Sequence, residues 1–243
     1  MESPNFLLSY LLILVSLLIA YKESLGNERE IFLSSIRTAV QLVLLGYLLK
    51  YILRLETLPQ MLGVVLGMAF ISSFIAYERV RHTSVLFTSF VSITITTVLV
   101  IGPLLSFKIL QPLSYQLIPF GGLIVGNTLN SITLAFDRFL GEVKARREEI
   151  EAKVALGATL RQAMEEIFRD SLRTSLIPKI NFMKAAGLVH IPGVAVGMLM
   201  AGADPIHAIL FQIVILYALV FAGLLGSVIM LYTSYKRALH IIS

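Results

Sequence analysis

Apolar runs long enough to cross a bilayer recur along almost the whole chain, and no other feature restricts its fold so strongly. They cover residues 3–21, 31–53, 57–77, 83–107, 117–136, 185–203 and 205–235. Arg37 and Lys50 interrupt only the ends of the second run, and the polar turn QPLSYQ precedes the fifth. Crossing a hydrocarbon layer of roughly 30 Å takes about 20 helical residues. In hydrocarbon a lone segment must satisfy its own backbone hydrogen bonds, which makes these runs helices. Composition agrees: 57% of the 243 residues are hydrophobic and 14% charged, where soluble domains carry about 25% charged residues. The expected fold is an all-α polytopic membrane protein, one permease-like domain over residues 1–243, with seven transmembrane helices and a cytoplasmic helical hairpin between spans five and six. The first run reads as a retained span: MESPN is acidic where a secretory signal is basic, and no small-x-small cleavage site follows.

Basic residues orient the bundle. Residues 137–179 hold nine Lys/Arg, and the positive-inside bias places such a block in the cytoplasm. Alternating sides outward puts Lys22, Arg29, Arg79, Arg81, Lys236 and Arg237 on that side, and Lys50, Arg54 and Lys108 on the other. Seven spans, with the N-terminus outside and the C-terminus cytoplasmic, satisfy every loop at once.

The block at 137–180 is no lipid anchor, because eight Asp/Glu are mixed with its basic residues and anionic lipid calls for an unopposed cluster. It is patterned as helix. Glu142 with Arg146, Glu149 with Lys153 and Glu165 with Arg169 stand at i,i+4 in the favourable Glu-first order. Gly157 breaks the pattern, as a residue that ends a helix in a left-handed conformation. Thr159 and Gln162 then form a capping box that starts a second helix. Along it Leu160, Met164, Ile167 and Leu172 recur at helical spacing while Arg161, Glu165, Glu166, Arg169 and Arg173 face elsewhere. Pro178 is expected to close it. The apolar stripe needs a cover, either the chain's own helix ends or a soluble partner.

At EAKVALGAT, Glu151, Ala152 and Gly157 have the E-A-x-x-x-x-G order of the cytoplasmic loop by which ABC transporter permeases touch their ATPase. The chain resembles one permease family along most of its length, the FetB (YbbM) type. The matching stretches are RTAVQLVLLGYLL from Arg37, GNTLNSITLAFDR from Gly126, EAKVALGAT from Glu151, RDSLRTSLIPKINFMKAAGLV from Arg169, IPG at Ile191, and AGADP from Ala201 with Gln212 following. It departs from the family pattern at His190, before the Pro-Gly, and at Ala195–Met198, after it. The resemblance implies a homodimeric permease subunit, embedded in the lipid of the cell membrane and worked by a separate FetA-like ABC ATPase. Iron export and iron homeostasis are the implied role, with a nucleotide sugar or other non-metal solute as the alternative cargo that plant relatives suggest. It makes the hairpin a pair of coupling helices, with Glu148, Glu151, Ala152, Leu156, Gly157, Ala158, Thr159 and Gln162 at the ATPase contact.

No G-x-x-x-x-G-K-[ST] occurs, so the sequence offers no cradle for ATP phosphates. ATP and its Mg²⁺ are expected on the partner, with no cofactor of the chain's own. There is no cysteine, hence no thiolate metal site. Neither a Ser-His-Asp constellation nor H-E-x-x-H is present, and an enzyme is a poor fit.

Polar groups inside spans are functional candidates by default. Arg37 and Gln41 lie one turn apart in the second span; Arg37 either snorkels or pairs with a carboxylate such as Glu78 or Asp137. In the fifth span Gly122, Gly126, Asn130, Thr133 and Asp137 form one small and polar stripe with Asn127 at its margin, suited to helix packing or to a polar conduit. Arg37, Gln41, Asn127, Asn130 and Asp137 are therefore the translocation-path candidates. Gly63/Gly67, Gly122/Gly126 and Gly193/Gly197 fit G-x-x-x-G, a packing or dimer signal. Asp204 and Pro205 read as a helix start; Asp204 with His207 is also a candidate outer cation site. His190 stands about 20 Å from His207 by helical rise, too far to share an ion within one protomer. Two rival classes remain. A mechanotransmission scaffold would carry a large outer domain, and the predicted outer loops are short. A secondary transporter would show internal repeats, and none is evident.

Overall fold

The computed structural model describes the backbone of residues 10–80 and 83–241. Among these residues the secondary structure is helical, apart from one isolated bridge between Ala186 and His190. The chain divides into two compact units, residues 1–55 and 56–243.

The first unit contains α1 (Tyr10–Lys22) and α2 (Glu28–Ile52), packed as a pair. A sharp turn joins them, in which the Leu25 N–H donates to the Ala20 carbonyl at 3.1 Å. Only part of the first expected span, 3–21, lies within the described residues.

The second unit holds α3 (Leu58–Val80), α4 (Thr83–Ser106), α5 (Ser114–Ala145), α6 (Arg147–Ala155), α7 (Leu160–Ala163), α8 (Glu165–Ala185), α9 (Gly193–Met200) and α10 (Pro205–Ile241). α5 is its axis, packing against α3, α4, α8 and α10. Its buried side chains include Leu117, Phe120, Ile124, Thr128, Ile132, Ala135, Phe139 and Val143, a three-to-four spacing that keeps one face inward. Polar side chains help fasten α4 to α10. Ser92 donates to the Gly226 carbonyl at 2.7 Å and Ser234 to the Thr88 hydroxyl at 3.3 Å.

Among the described residues five helices are long and apolar enough to cross a membrane: Glu28–Ile52, Leu58–Arg79, Val85–Ser106, Ser114–Ala145 and Pro205–Lys236. They correspond to the second, third, fourth, fifth and seventh expected spans. The expected sixth span, 185–203, is not one helix. α8 ends at Ala185, the chain turns through Gly187 at φ +81°, and Pro192 precedes an α9 of only eight residues. At 1.5 Å per residue α9 rises about 12 Å, far short of a crossing. Apolarity alone suggested a continuous span, while the backbone breaks at its glycine and proline.

Two hairpin boundaries also change. α5 runs unbroken past Phe136 to Ala145, so the hairpin stands on a continuation of the fifth span. Pro178 does not close the second helix; it lies inside α8, which continues to Ala185. An interior proline forfeits one backbone hydrogen bond, tolerable here because α8 is held along its length by α5 and α10.

The direction of travel is readable within this unit. Arg79, near the end of α3, reaches Asp137 of α5 at 2.5 Å, and Tyr232, late in α10, meets Phe168 at the start of α8 edge-on at 5.4 Å. Both lie at the hairpin end of the bundle. Since α10 returns to that end, α8, the loop and α9 together carry the chain away from it.

Glycines permit close approach at positions other than the expected pairs. A Cβ on Gly226 would stand 2.5 Å from Thr128 Cγ2, and one on Gly121 2.5 Å from Val65 Cγ2. At Gly63, Gly67, Gly126, Gly193 and Gly197 it would meet nothing within 4 Å.

Candidate functional site

The hairpin at 146–164 is a rigid turn on a buried base. Ile150, Ala163, Met164, Ile167 and Phe168 are buried, and Phe168 meets Phe139 of α5 edge-on at 5.1 Å. The stripe at Met164 and Ile167 is thus covered by the chain itself, with Leu160 and Leu172 half-buried. Ion pairs tie the base together: Glu142 accepts from Arg138 at 2.7 Å and Arg146 at 3.0 Å, and Arg146 also reaches Glu166 at 3.4 Å. The i,i+4 pairs expected at Glu149–Lys153 and Glu165–Arg169 form at 2.5 Å, and Glu151 pairs with Arg147 at 2.8 Å. The hydrogen bond from Lys153, reinforced by its charge, holds the Glu149 carboxyl below the usual range.

The tip is capped on both sides. Gly157 adopts φ +96°, its N–H donates to Val154 at 3.0 Å, and that of Ala158 donates to Lys153 at 3.0 Å. This is a Schellman closure, which favours glycine because it has no Cβ. The Thr159 hydroxyl accepts from the Gln162 N–H at 3.3 Å, and Gln162 Oε1 accepts from the Thr159 N–H at 2.9 Å, completing the box. Leu156, the C-cap residue of α6 just before the Gly157 closure, stands 89% exposed. Glu148, Glu151, Ala152, Gly157, Thr159 and Gln162 are exposed around it and Ala158 is half-buried. The structure therefore brings all eight expected contact residues into one projecting element.

Arg161 is a residue that helical periodicity misassigned. It was expected on the solvent face; instead its guanidinium lies 3.9 Å from the ring centre of Phe168 and 4.3 Å from that of Tyr232. Its Nη2 donates to the Tyr232 hydroxyl at 2.8 Å. The seven-residue step from Arg161 to Phe168 is the one sequence signal for this contact.

The expected path residues separate. Arg37 and Gln41 belong to the first unit and Asn127, Asn130 and Asp137 to the second. Asp137 is paired with Arg79. Asn127 and Asn130 line a cavity of about 400 Å³ between α5, α8 and α10, together with Ser131, Lys179, Phe182 and Leu216. Lys179 was not among the expected site residues; standing beside Pro178, it was counted with the hairpin's basic residues.

Beyond the cavity, Gln212 of α10 accepts the buried Ala195 N–H of α9 at 3.2 Å, a role its sequence position did not disclose. Asp204 accepts the His207 N–H at 2.9 Å, as a helix-start carboxylate does. Among the described residues no cluster of three or more His, Cys, Asp or Glu is placed to hold a metal ion.

A family model described as "Uncharacterised protein family (UPF0014)" matches residues 4–239. The chain belongs to the UPF0014 family. This UPF0014 chain is 33% identical to the "Probable iron export permease protein FetB" of Escherichia coli over 97% of its own length and 91% of that protein. It is 31% identical to the "UPF0014 membrane protein YjkA" of Bacillus subtilis, over 97% of this chain and 94% of that one. It is 29% identical to the "Protein ALUMINUM SENSITIVE 3" of Arabidopsis thaliana, over 89% and 80%. No solved structure matches it. The UPF0014 chain is a multi-pass membrane protein of a permease family, which agrees with its apolar helices and with the resemblance seen in its sequence.

Proposed function

We propose that this UPF0014 member is the permease subunit of an ABC exporter, driven by a separate ATPase that docks on the tip of the α6–α7 turn. The observation that carries the reading is Leu156. A large apolar side chain exposed on a turn capped at both ends is a preformed contact, since little conformational entropy is lost when a partner covers it. The helices behind it are already packed, so their own burial does not account for Leu156.

In this reading the hairpin end is cytoplasmic, as its basic residues favour, with the C-terminus on the same side and the N-terminus outside. Seven crossings result if α8 and α9 form a broken sixth. Broken helices occur in transporters where the interrupted backbone is sheltered by protein or lines a water-filled cavity. Two copies of the permease with two ATPases form the working assembly, and ATP with Mg²⁺ resides on the ATPase. The cargo is iron or a metal-related solute, in keeping with the printed description of the Escherichia coli relative. The path is built around Asn127 and Asn130 of the second unit, with Asp137 as a further polar group; Arg37 and Gln41 are the polar candidates of the first unit. Asp204 and His207 form at most a weak cation contact at the outer end.

Gly157→Pro, or deletion of 148–162, leaves membrane insertion intact and abolishes co-purification with the ATPase. Leu156→Asp does the same without altering the backbone. An ATPase retained by all three variants would overturn the docking assignment. Reconstitution with and without the ATPase, comparing ATP turnover with iron, other divalent ions and a nucleotide sugar, tests the cargo.

A further inference from the structure

The cavity between α5, α8 and α10 has a charge character that the path residues legible in the sequence did not suggest. Among the described residues its one ionisable lining group is Lys179, and its walls are otherwise neutral, with Asn127, Asn130 and Ser131 beside apolar side chains such as Phe182 and Leu216. The Lys179 ammonium donates to the Ser131 hydroxyl and reaches the Asn127 carbonyl at 3.4 Å. Ser131 in turn donates its own hydrogen to that carbonyl at 3.0 Å. An ammonium has three donors and no acceptor, so two neutral oxygens leave one donor and the full charge uncompensated. Among the described residues no carboxylate forms a salt bridge with it. A charge partly withdrawn from water is ordinarily paired with an opposite one, and among the described residues this one has no acidic partner.

The backbone of α10 is shaped around this lysine. At Gly223 a Cβ would stand 2.5 Å from Lys179 Cε and 2.9 Å from Ser131 Oγ. The missing side chain lets the lysine stem lie across α10 with its amine turned toward the α5 hydroxyl. A surface lysine needs no such groove.

We infer that this cavity binds an oxyanion head, phosphate or carboxylate, carried on an apolar body, with Lys179 supplying the counter-charge and the amides of Asn127 and Asn130 its polar margin. The volume of about 400 Å³ is within the usual range of small-ligand sites, roughly 300–1,000 Å³. A bare divalent cation is the wrong ligand, because the wall presents an ammonium and no carboxylate or imidazole. A metal would enter only as part of an anionic complex. That the occupant is cargo rests on the permease reading above; that it binds does not. The same chemistry is offered by an amphipathic solute or by an acidic lipid head, and the test separates them.

The full chain is placed in nanodiscs of phosphatidylcholine alone, and octyl phosphate binding is measured by titration against empty discs. In parallel, discs with equal phosphatidylglycerol and phosphatidylcholine are examined by native mass spectrometry for retained lipid. The wild type binds octyl phosphate, retains phosphatidylglycerol in preference, or does both. The responding arm identifies the source. Lys179→Gln weakens that binding about tenfold or more, as removal of a charged hydrogen-bond partner does. Asn130→Asp, which adds a carboxylate at an exposed rim position, has the same effect and decides the matter if Lys179→Gln does not fold. Lys184→Gln, exposed on the same helix outside the cavity, leaves it unchanged. A wild type that binds neither probe, or Lys179→Gln and Asn130→Asp proteins that bind as well as wild type, overturns the inference. Because the measurement uses the permease alone, an ATPase that fails to dock does not affect it.

Discussion

Arg161 and Tyr232, 71 positions apart, are joined by a 2.8 Å hydrogen bond from Nη2 to the phenol oxygen, with the guanidinium held over the tyrosine ring. One residue belongs to α7, just behind the projecting turn, and the other to the last long helix. The bond is therefore a direct mechanical link between the hairpin and the bundle.

Arg161→Ala removes that bond and two ring contacts, each cation–π contact contributing about 0.5–2 kcal/mol. The variant unfolds in detergent at a lower temperature than wild type. Under the proposed function it keeps the ATPase but transmits its stroke poorly, so ATP turnover continues while transport falls. Tyr232→Phe keeps the ring and loses only the hydrogen bond, about 1 kcal/mol, and so lies between the two. Equal unfolding temperatures for all three proteins would show that the link is inert.

Gln212 holds the start of α9 against α10 through the Ala195 N–H. Gln212→Leu leaves that donor buried without an acceptor, at about 1–3 kcal/mol. Because α9 has only eight residues, the effect is local. Amide exchange over 193–200 accelerates, while exchange along α5 is unchanged.

Glu149 is exposed, and its carboxyl is held below the usual range mainly by the hydrogen bond from Lys153 and then by that residue's charge. Its contribution to helix stability is thus present above the unfolded-state pKa and lost as pH falls through the lower folded-state value. Lys153→Gln raises the Glu149 titration midpoint, read by carboxyl NMR chemical shift. High salt moves it in the same direction, since exposed pairs are screened. A midpoint indifferent to both would remove the ion pair from the account of α6.

The elements that could be read in advance share a local cause. Gly157, Thr159 and Gln162 form their caps through contacts within a few residues, and Glu142, Glu149 and Glu165 find partners one turn away. Such interactions depend on spacing, which is written in the chain. The apolar runs of α2, α3, α4, α5 and α10 were legible for the same reason: hydrocarbon demands length and apolarity, both properties of a segment alone.

Position in the bundle followed another rule. Arg161 and Lys179 looked like ordinary members of a basic block, and whether a long basic side chain reaches water or lies against a neighbour depends on which helices meet it. That is set by Tyr232 and by the bare backbone of Gly223, dozens of residues away. The break between α8 and α9 was hidden differently. Averaged apolarity cannot distinguish a straight helix from a loop and a short one, although Gly187 and Pro192 marked the place. By itself the sequence determined a helical membrane bundle with a capped, charged hairpin, because those features follow from local spacing and segment length. Only the tertiary structure decided that one guanidinium clamps the hairpin to the last helix and that the Lys179 ammonium faces a cavity, since both depend on side chains brought together from distant parts of the chain.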